Sequence, residues 1–186
     1  GGNLMDAVIA IETIASVCPK SADVVQAGNF GPVRVLAEYG TPDQKQRYLT
    51  RILAGEAVTC VGMTEPDAGT DVPNYRTNCE LKGGKVILNG AKTLISRADI
   101  AEMFVVFTRV NGVAGAEGIG CVLVPGGTKG LIAKATYHTM GGEYLSDVVF
   151  DDIELPIENL VIRDNGMKKL LSAFNTQRVL NPAICL

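Results

Sequence analysis

The spacing of hydrophobic and polar positions along the chain changes near residue 57. Before that point, apolar side chains recur every three or four residues, which is typical of amphipathic helices packed on a core. Gly31-Pro32 interrupts the second periodic segment, where it predicts a kink or a break. The predicted helices span residues 3–17, about 21–39 and 42–53.

From residue 57 onward the period shortens to two, which indicates β-strands. Gly83-Gly84 predicts a hairpin turn, and Asn89-Gly90 predicts a second tight turn or a bulge. Because turns recur about every 8–12 residues, the pattern predicts a compact antiparallel barrel or sandwich. The predicted strands span residues 57–63, 77–81, 86–88, 103–108, 120–124, 132–136 and 146–153.

Helical spacing resumes from about Met167, and Pro182 is expected to end or kink this last helix. The predicted fold class is therefore α+β, with helices followed by an antiparallel β-barrel or sandwich and one C-terminal helix. We expect three units, at residues 1–56, 57–160 and 161–186.

Composition and charge exclude several classes of function. Hydrophobic residues make up 47% and charged residues 20% of the 186, so the chain is expected to be globular. A net charge of −3 without a basic cluster, and the absence of Trp, argue against nucleic acid as a partner. No apolar run reaches the roughly 20 residues that span a bilayer, and the start has no basic segment typical of a signal peptide. We therefore expect a soluble cytoplasmic protein, or a mitochondrial matrix protein in a eukaryote.

The cysteines and the single histidine offer little metal or triad chemistry. The five cysteines are odd in number and contain no Cys-x-x-Cys spacing, which predicts reduced thiols rather than disulfides or a zinc site. Most are expected to be small core residues. With His138 alone, a Ser-His-Asp triad or a histidine metal site is improbable, and His138 is interpreted as a surface or strand residue.

Candidate chemistry begins where the first predicted strand stops, in the segment 61–71. Pro66 removes a backbone donor and fixes its own φ, so the strand cannot continue. Gly69 allows a sharp bend or a close approach to a ligand. Thr64 and Thr70 then offer hydroxyl groups, which suit the polar edge of a flat cofactor. A strand followed by a well-capped turn accounts for the same residues equally well.

The stretch Thr64-Glu65-Pro66-Asp67-Ala68-Gly69-Thr70-Asp71 closely resembles the Thr-Glu-Pro-x-Ala-Gly-Ser/Thr-Asp signature of the acyl-CoA dehydrogenases. The resemblance implies that this loop lies along FAD and touches the thioester of the CoA substrate. Thr70 is thereby expected to contact both cofactor and substrate. The cofactor contacts implied on this stretch are Val61, Met63, Thr64, Gly69 and Thr70.

A second segment, 89–97, resembles the family's Asn-Gly-x-Lys-x-Trp-Ile-Thr/Ser-Asn. The resemblance implies that Ser96 contacts flavin N5 and that Leu94, in place of the Trp, covers one face of the ring beside Ile95. Arg97 stands where the family has Asn. Taken alone, this segment is also consistent with an ordinary strand that ends in polar residues.

Two later segments resemble the family less closely. Residues 140–156 lack its Ser-x-Thr, and Glu143 stands near a common Arg. Phe174-Asn175-Thr176-Gln177-Arg178 is similar to Phe/Leu-Asp-x-x-Arg, which implies that Asn175 and Arg178 lie near the acyl-CoA pocket. A solvated helix charge explains Arg178 equally well. Gln177 occupies the position of the catalytic Glu in a subgroup resembling isovaleryl-CoA dehydrogenase, and an amide takes no proton at neutral pH.

The function implied by the resemblance is α,β-dehydrogenation of an acyl-CoA, with hydride transfer to FAD. The resemblance also implies an electron-transfer flavoprotein as partner and a homotetrameric full-length protein. It identifies the chain as a fragment: the end of an N-terminal helical domain, the β-domain and the first helix of a C-terminal bundle. Since the usual carboxylate base lies further along that bundle, we expect no catalytic residue here and weak or absent FAD binding.

Two alternatives stay open. One keeps the fold and changes the reaction, as in an acyl-CoA reductase or a desulfinase, and is indicated by the departures at Leu94, Arg97 and Gln177. The other is a β-barrel interaction module that uses no flavin.

Overall fold

The computed structural model describes residues 2–185, with the backbone alone at residues 135 and 136. Asn3 caps the first helix, because its side chain accepts from the amides of Met5 and Asp6 while Asp6 accepts from the Asn3 amide. The helices are α1 (Leu4–Ala15), α2 (Pro19–Asn29), α3 (Pro32–Tyr39), α4 (Pro42–Gln44), the π-helical turn Lys45–Leu49, α5 (Thr50–Leu53) and α6 (Gly166–Cys185). Short 3₁₀ turns lie at Val72–Asn74, Ala116–Gly118 and Ile157–Asn159.

The break predicted at Gly31-Pro32 is confirmed. Gly31 has φ of 64°, a left-handed conformation that suits glycine, and Pro32 opens α3 as its first residue. Pro182 does not end α6, which continues to Cys185. No helix within residues 2–185 combines the length and hydrophobicity that crossing a membrane requires.

Residues 2–185 contain one sheet in the strand order β6-β7-β3-β2-β4-β5-β8, with β1 also paired to β4. The predicted α+β class is confirmed, whereas the prediction of an antiparallel barrel or sandwich is only partly supported. The sheet ends at β6 and β8 without closing, and β1 and β2 run parallel to β4. The strands are β1 (Thr59–Gly62), β2 (Asn78–Lys82), β3 (Lys85–Ser96), β4 (Met103–Val110), β5 (Ile119–Pro125), β6 (Leu131–His138), β7 (Tyr144–Pro156) and β8 (Leu160–Ile162).

The sheet has a hydrophobic core on each side of its central strand β4. Successive side chains of a strand point to opposite faces, so Phe104 and Val106 join one core and Val105 and Phe107 the other. The first core lies between the two halves of the sheet and gives it a sandwich-like character. The second lies between the sheet and the helices, where the ring of Phe107 meets Phe174 of α6 edge-on at 6.5 Å between centroids.

Strand β3 is long and irregular, and this irregularity shapes the site described below. Its pairing with β7 shifts register between Leu88 and Gly90 and again between Lys92 and Ile95. Asn89-Gly90 therefore forms a bulge inside one strand, the second of the two predicted alternatives. Gly90 has φ of 143°, and a Cβ added there would lie 2.6 Å from the Thr77 Cα atom.

Replacing Gly90 by alanine is expected to lower the free energy of unfolding by about 2–3 kcal/mol, because it adds a backbone contact to an unfavourable φ. Chemical denaturation checks this result. Gly84→Ala is the matched control, since Gly84 also has positive φ, 76°, but a Cβ there meets open space. Equal losses in the two variants would show that φ alone, not contact with Thr77, restricts position 90.

Candidate functional site

The C-terminal ends of β1 and β3 lie side by side next to the helices, and together they form one wall of a cavity. The chain leaving β1 is held against β3 by the Thr93 amide, which donates to the Thr64 carbonyl at 2.8 Å. The cavity has a volume of about 210 Å³. Six of the eight predicted cofactor residues line it: Val61, Met63, Thr64, Leu94, Ile95 and Ser96.

The remaining wall comes from other elements: Asp23 and Ala27 of α2, Pro32 of α3, Glu143 of the β6–β7 turn and Gln177 of α6. Oε1 of Gln177 is buried and has no hydrogen-bond partner within the described part of the chain. Apolar walls with a few convergent polar groups are typical of sites for small organic ligands. The donor set of Thr64 and Ser96 beside apolar Val61 and Met63 fits a flat ring with a polar edge.

Leu94 reaches this wall through a backbone distortion. Its φ is 57°, which is rare for a residue with a branched side chain, and it lies within the second register shift of β3. The side chain is 49% exposed although it is apolar. An exposed apolar side chain at a strained position of a cavity wall is available to cover a ligand.

The other predicted residues lie outside this wall. Gly69 and Thr70 are exposed on the loop that follows the wall, just after a turn closed by two backbone bonds between Glu65 and Ala68. Asn175 borders a separate surface depression, and Arg178 is exposed on α6. Their roles stay predictions.

Comparison with known proteins shows what family this arrangement belongs to. Residues 1–56 match the family model for the N-terminal domain of acyl-CoA dehydrogenases, and residues 60–153 match the model for the middle domain. The chain belongs to the acyl-CoA dehydrogenase family.

Individual relatives agree with this assignment. The short-chain specific acyl-CoA dehydrogenase of Clostridium acetobutylicum is 31% identical over 163 residues, covering 87% of this chain and 43% of the relative. The acryloyl-CoA reductase (NADH) of Anaerotignum propionicum is 29% identical over 184 residues, covering 96% and 46%. A glutaryl-CoA dehydrogenase from Mycobacterium smegmatis, solved in complex with FADH2, superimposes with a TM-score of 0.88 at 27% identity, covering 97% and 46%. The chain thus spans less than half the length of these relatives.

The segments 61–71 and 89–97 each contribute one residue to a buried ion pair that the motifs did not predict. Lys92 Nζ donates to Glu65 Oε1 at 2.8 Å and to the Met63 carbonyl at 3.0 Å, and neither charged side chain is more than 3% exposed. Nζ also lies 3.6 Å from the centroid of the Tyr75 ring. Glu65 accepts further bonds from the Arg76 and Thr77 amides at 2.7 and 3.2 Å.

For each residue of the pair, burial and ion pairing shift the pKa in opposite directions. Burial lowers the pKa of Lys92 to about 8, against the influence of the Glu65 charge. Burial also opposes the charge of Glu65, but Lys92 and the donors around the carboxylate outweigh it and lower the pKa of Glu65. The pair is therefore charged at neutral pH, inside the wall that carries Met63 and Thr64.

Two departures from the acyl-CoA dehydrogenase pattern lie together at one end of the cavity. Arg97 Nη2 is 2.8 Å from Asp23 Oδ2 and 3.9 Å from Glu143 Oε1. These three residues also border a neighbouring cavity of about 480 Å³, so they separate the two spaces. Lys20 adds a further link between α2 and the β6–β7 turn, by donating to the Gly142 carbonyl at 3.0 Å.

Proposed function

We propose that the chain is part of a flavin-dependent acyl-CoA dehydrogenase, called the parent protein below, and that it supplies the cavity wall facing the flavin ring. The observation that carries the proposal is the meeting of six motif residues, from two segments distant in sequence, in one cavity of suitable chemistry. Bound FAD would supply the hydride acceptor for α,β-dehydrogenation of an acyl-CoA thioester. Domain limits at 1–56, 57–160 and 161–186 belong to the same proposal.

In this proposal, each residue of the wall has a simple physical task. The hydroxyls of Thr64 and Ser96 hydrogen-bond the polar edge of the ring. Val61, Met63 and Ile95 pack against its apolar part, and Leu94 covers a face without the stacking that an aromatic residue gives. Gly69 and Thr70 extend the contact along the cofactor. Thr70, Asn175 and Arg178 contact the substrate.

The described residues that border the cavity supply no evident base for the α-proton. Asp23 and Glu143 both face Arg97, and the amide of Gln177 does not accept a proton at neutral pH. We therefore assign proton abstraction to a carboxylate in another part of the parent protein. An electron-transfer flavoprotein as partner, and assembly of the parent as a homotetramer, complete the proposal.

Reduction of an enoyl-CoA by the same fold is the second candidate. The relative named acryloyl-CoA reductase covers nearly the whole chain, and Leu94, Arg97 and Gln177 depart from the dehydrogenase pattern. Turnover of a panel of acyl-CoAs with an artificial electron acceptor, compared with reduction of the matching enoyl-CoAs, separates the two reactions.

We expect the parent protein to purify with a flavin absorbance band, and the isolated chain to retain FAD weakly or not at all. Ser96→Ala in the parent is expected to weaken FAD binding about tenfold, since one hydrogen bond to the ring is lost. Ser172→Ala, exposed on α6 and away from the cavity, is the control. Fluorescence titration of apoprotein with FAD measures both. A colourless parent that takes up no FAD overturns the proposal in favour of an interaction module.

A further inference from the structure

The Lys92–Glu65 pair is linked to the cavity wall by main-chain bonds as well as by position. Lys92 Nζ binds the Met63 carbonyl at 3.0 Å, and the neighbouring Thr93 amide binds the Thr64 carbonyl at 2.8 Å. Two successive carbonyls are thus held by two successive residues of β3. Because these bonds fix both peptide planes, they set where the Met63 and Thr64 side chains stand in the cavity wall.

Glu65 holds the other side of the same turn. Its carboxylate receives the Arg76 and Thr77 amides, which belong to the segment that leads into β2. Its own backbone pairs with Ala68 through bonds of 3.1 and 3.2 Å. Glu65 therefore connects the turn to β2, and Lys92 connects it to β3.

Close packing restricts the Lys92 side chain to one position. A Cβ added at Gly62 would lie 3.3 Å from Lys92 Cγ, so the stem packs closely on the backbone of β1. The Tyr75 ring covers the ammonium at 3.6 Å. An ammonium enclosed by a carboxylate, a carbonyl and a ring face is a fixed donor rather than a mobile charge.

We propose that Lys92 and Glu65 are positioning residues of the flavin site, which hold the Met63-Thr64 main chain in the geometry that presents both side chains to the ring. This inference rests on the proposed function. The pair has two distinct roles. Its two charges neutralise each other, and a pair of uncharged side chains would be neutral as well. Lys92 also donates a hydrogen bond to the Met63 carbonyl, and methionine in its place cannot do so.

The double variant Glu65→Gln/Lys92→Met separates these roles in the parent protein. It removes both charges together, and the Gln oxygen still accepts from the Arg76 amide, although the Thr77 amide loses its acceptor, so the variant is expected to fold. Its affinity for FAD, measured by fluorescence titration of the apoprotein, is expected to fall at least tenfold, and its flavin reduction potential is expected to shift. The control is Glu154→Gln/Lys85→Met, which makes the same two substitutions at an exposed ion pair of 2.7 Å that joins β3 to β7.

Hydrogen exchange gives a readout that needs no flavin. In the double variant, amides of residues 61–70 are expected to exchange faster than in the wild type, while the strands far from the cavity stay unchanged. Wild-type exchange and wild-type FAD affinity in this variant overturn the positioning role. Faster local exchange in a parent protein whose wild type binds no FAD instead refutes the proposed function and leaves the structural role of Lys92 intact.

Discussion

Replacing Lys92 by methionine is expected to lower the free energy of unfolding of the chain by about 3–5 kcal/mol, because the Glu65 carboxylate is then buried without its cation. Glu65 is 4% exposed, so water cannot replace the lost partner. Urea denaturation followed by far-ultraviolet circular dichroism measures the change, since the chain has no Trp for a fluorescence signal. Lys85→Met, which breaks the exposed pair with Glu154, is expected to cost far less, because water replaces the lost partner.

Comparison with the double variant identifies the cause of this loss. If the unpaired charge dominates, Glu65→Gln/Lys92→Met recovers most of the stability lost in Lys92→Met. If the double variant is as unstable as the single one, loss of the Nζ contacts with the Met63 carbonyl and the Tyr75 ring is responsible instead. A loss in Lys92→Met no larger than that in Lys85→Met contradicts the prediction altogether.

The stability of the Lys92→Met variant at acidic pH provides a second test. In Lys92→Met, burial without a cation raises the folded-state pKa of Glu65 above its unfolded value of about 4.3. A carboxyl group with a raised pKa is penalised when it is ionised, and the penalty disappears as the pH falls through the folded and then the unfolded pKa. The stability gap between wild type and variant is therefore expected to narrow as the pH approaches about 4.

Much of the fold could be predicted because it depends on local patterns. The change of period near residue 57, the Gly31-Pro32 break and the Gly83-Gly84 hairpin each follow from a few neighbouring residues. Whether the sheet closes into a barrel does not depend on local patterns. Alternation shows which face of a strand is buried, whereas the parallel pairing of β1 with β4 joins strands separated by the whole β2–β3 hairpin.

In the site as well, short motifs could be predicted from neighbouring residues, whereas contacts between residues distant in sequence could not. The wall from Val61 to Thr64 and from Leu94 to Ser96 could be predicted, since each run is a short motif at a strand end. The Glu65–Lys92 pair joins residues 27 apart, and Arg97 meets Asp23 across 74 residues. No local signal marks the first pair, because Glu65 lies beyond the end of β1 and Lys92 lies beyond the bulge at Asn89-Gly90.

Alkaline pH is expected to destabilise the chain steeply, because three of its cysteines are buried as free thiols. Burial raises the pKa of the Cys60 and Cys121 thiols, and raises that of Cys79 to about 12. In the unfolded chain these thiols ionise at about pH 8.5. A group whose folded pKa is raised contributes stability below its unfolded pKa and loses it as the pH rises. Each thiol therefore removes about 1.4 kcal/mol per pH unit once the unfolded form is ionised.

Lys92 acts in the opposite direction over part of the same range. Its folded pKa of about 8 lies below the unfolded value of about 10.4, so stability rises with pH between the two values. The three thiols outnumber the one lysine, and the buried phenol of Tyr75, whose pKa burial also raises, adds to the loss at about pH 10. We expect stability to change little up to about pH 8 and then to fall progressively more steeply as the pH rises to about 10.

Urea denaturation under reducing conditions across this range tests the proton count, and substitutions assign it. Cys121→Ala is expected to reduce the slope by about 1.4 kcal/mol per pH unit, because one thiol that ionises only in the unfolded chain is removed. Glu65→Gln/Lys92→Met is expected to steepen it by up to about 1.4 kcal/mol per pH unit, because the opposing lysine is gone. Cys185→Ser, at an exposed position, leaves it unchanged. A wild-type slope near zero at about pH 10 contradicts the burial of these thiols, and an unaltered slope in the double variant shows that Lys92 keeps its proton through pairing with Glu65.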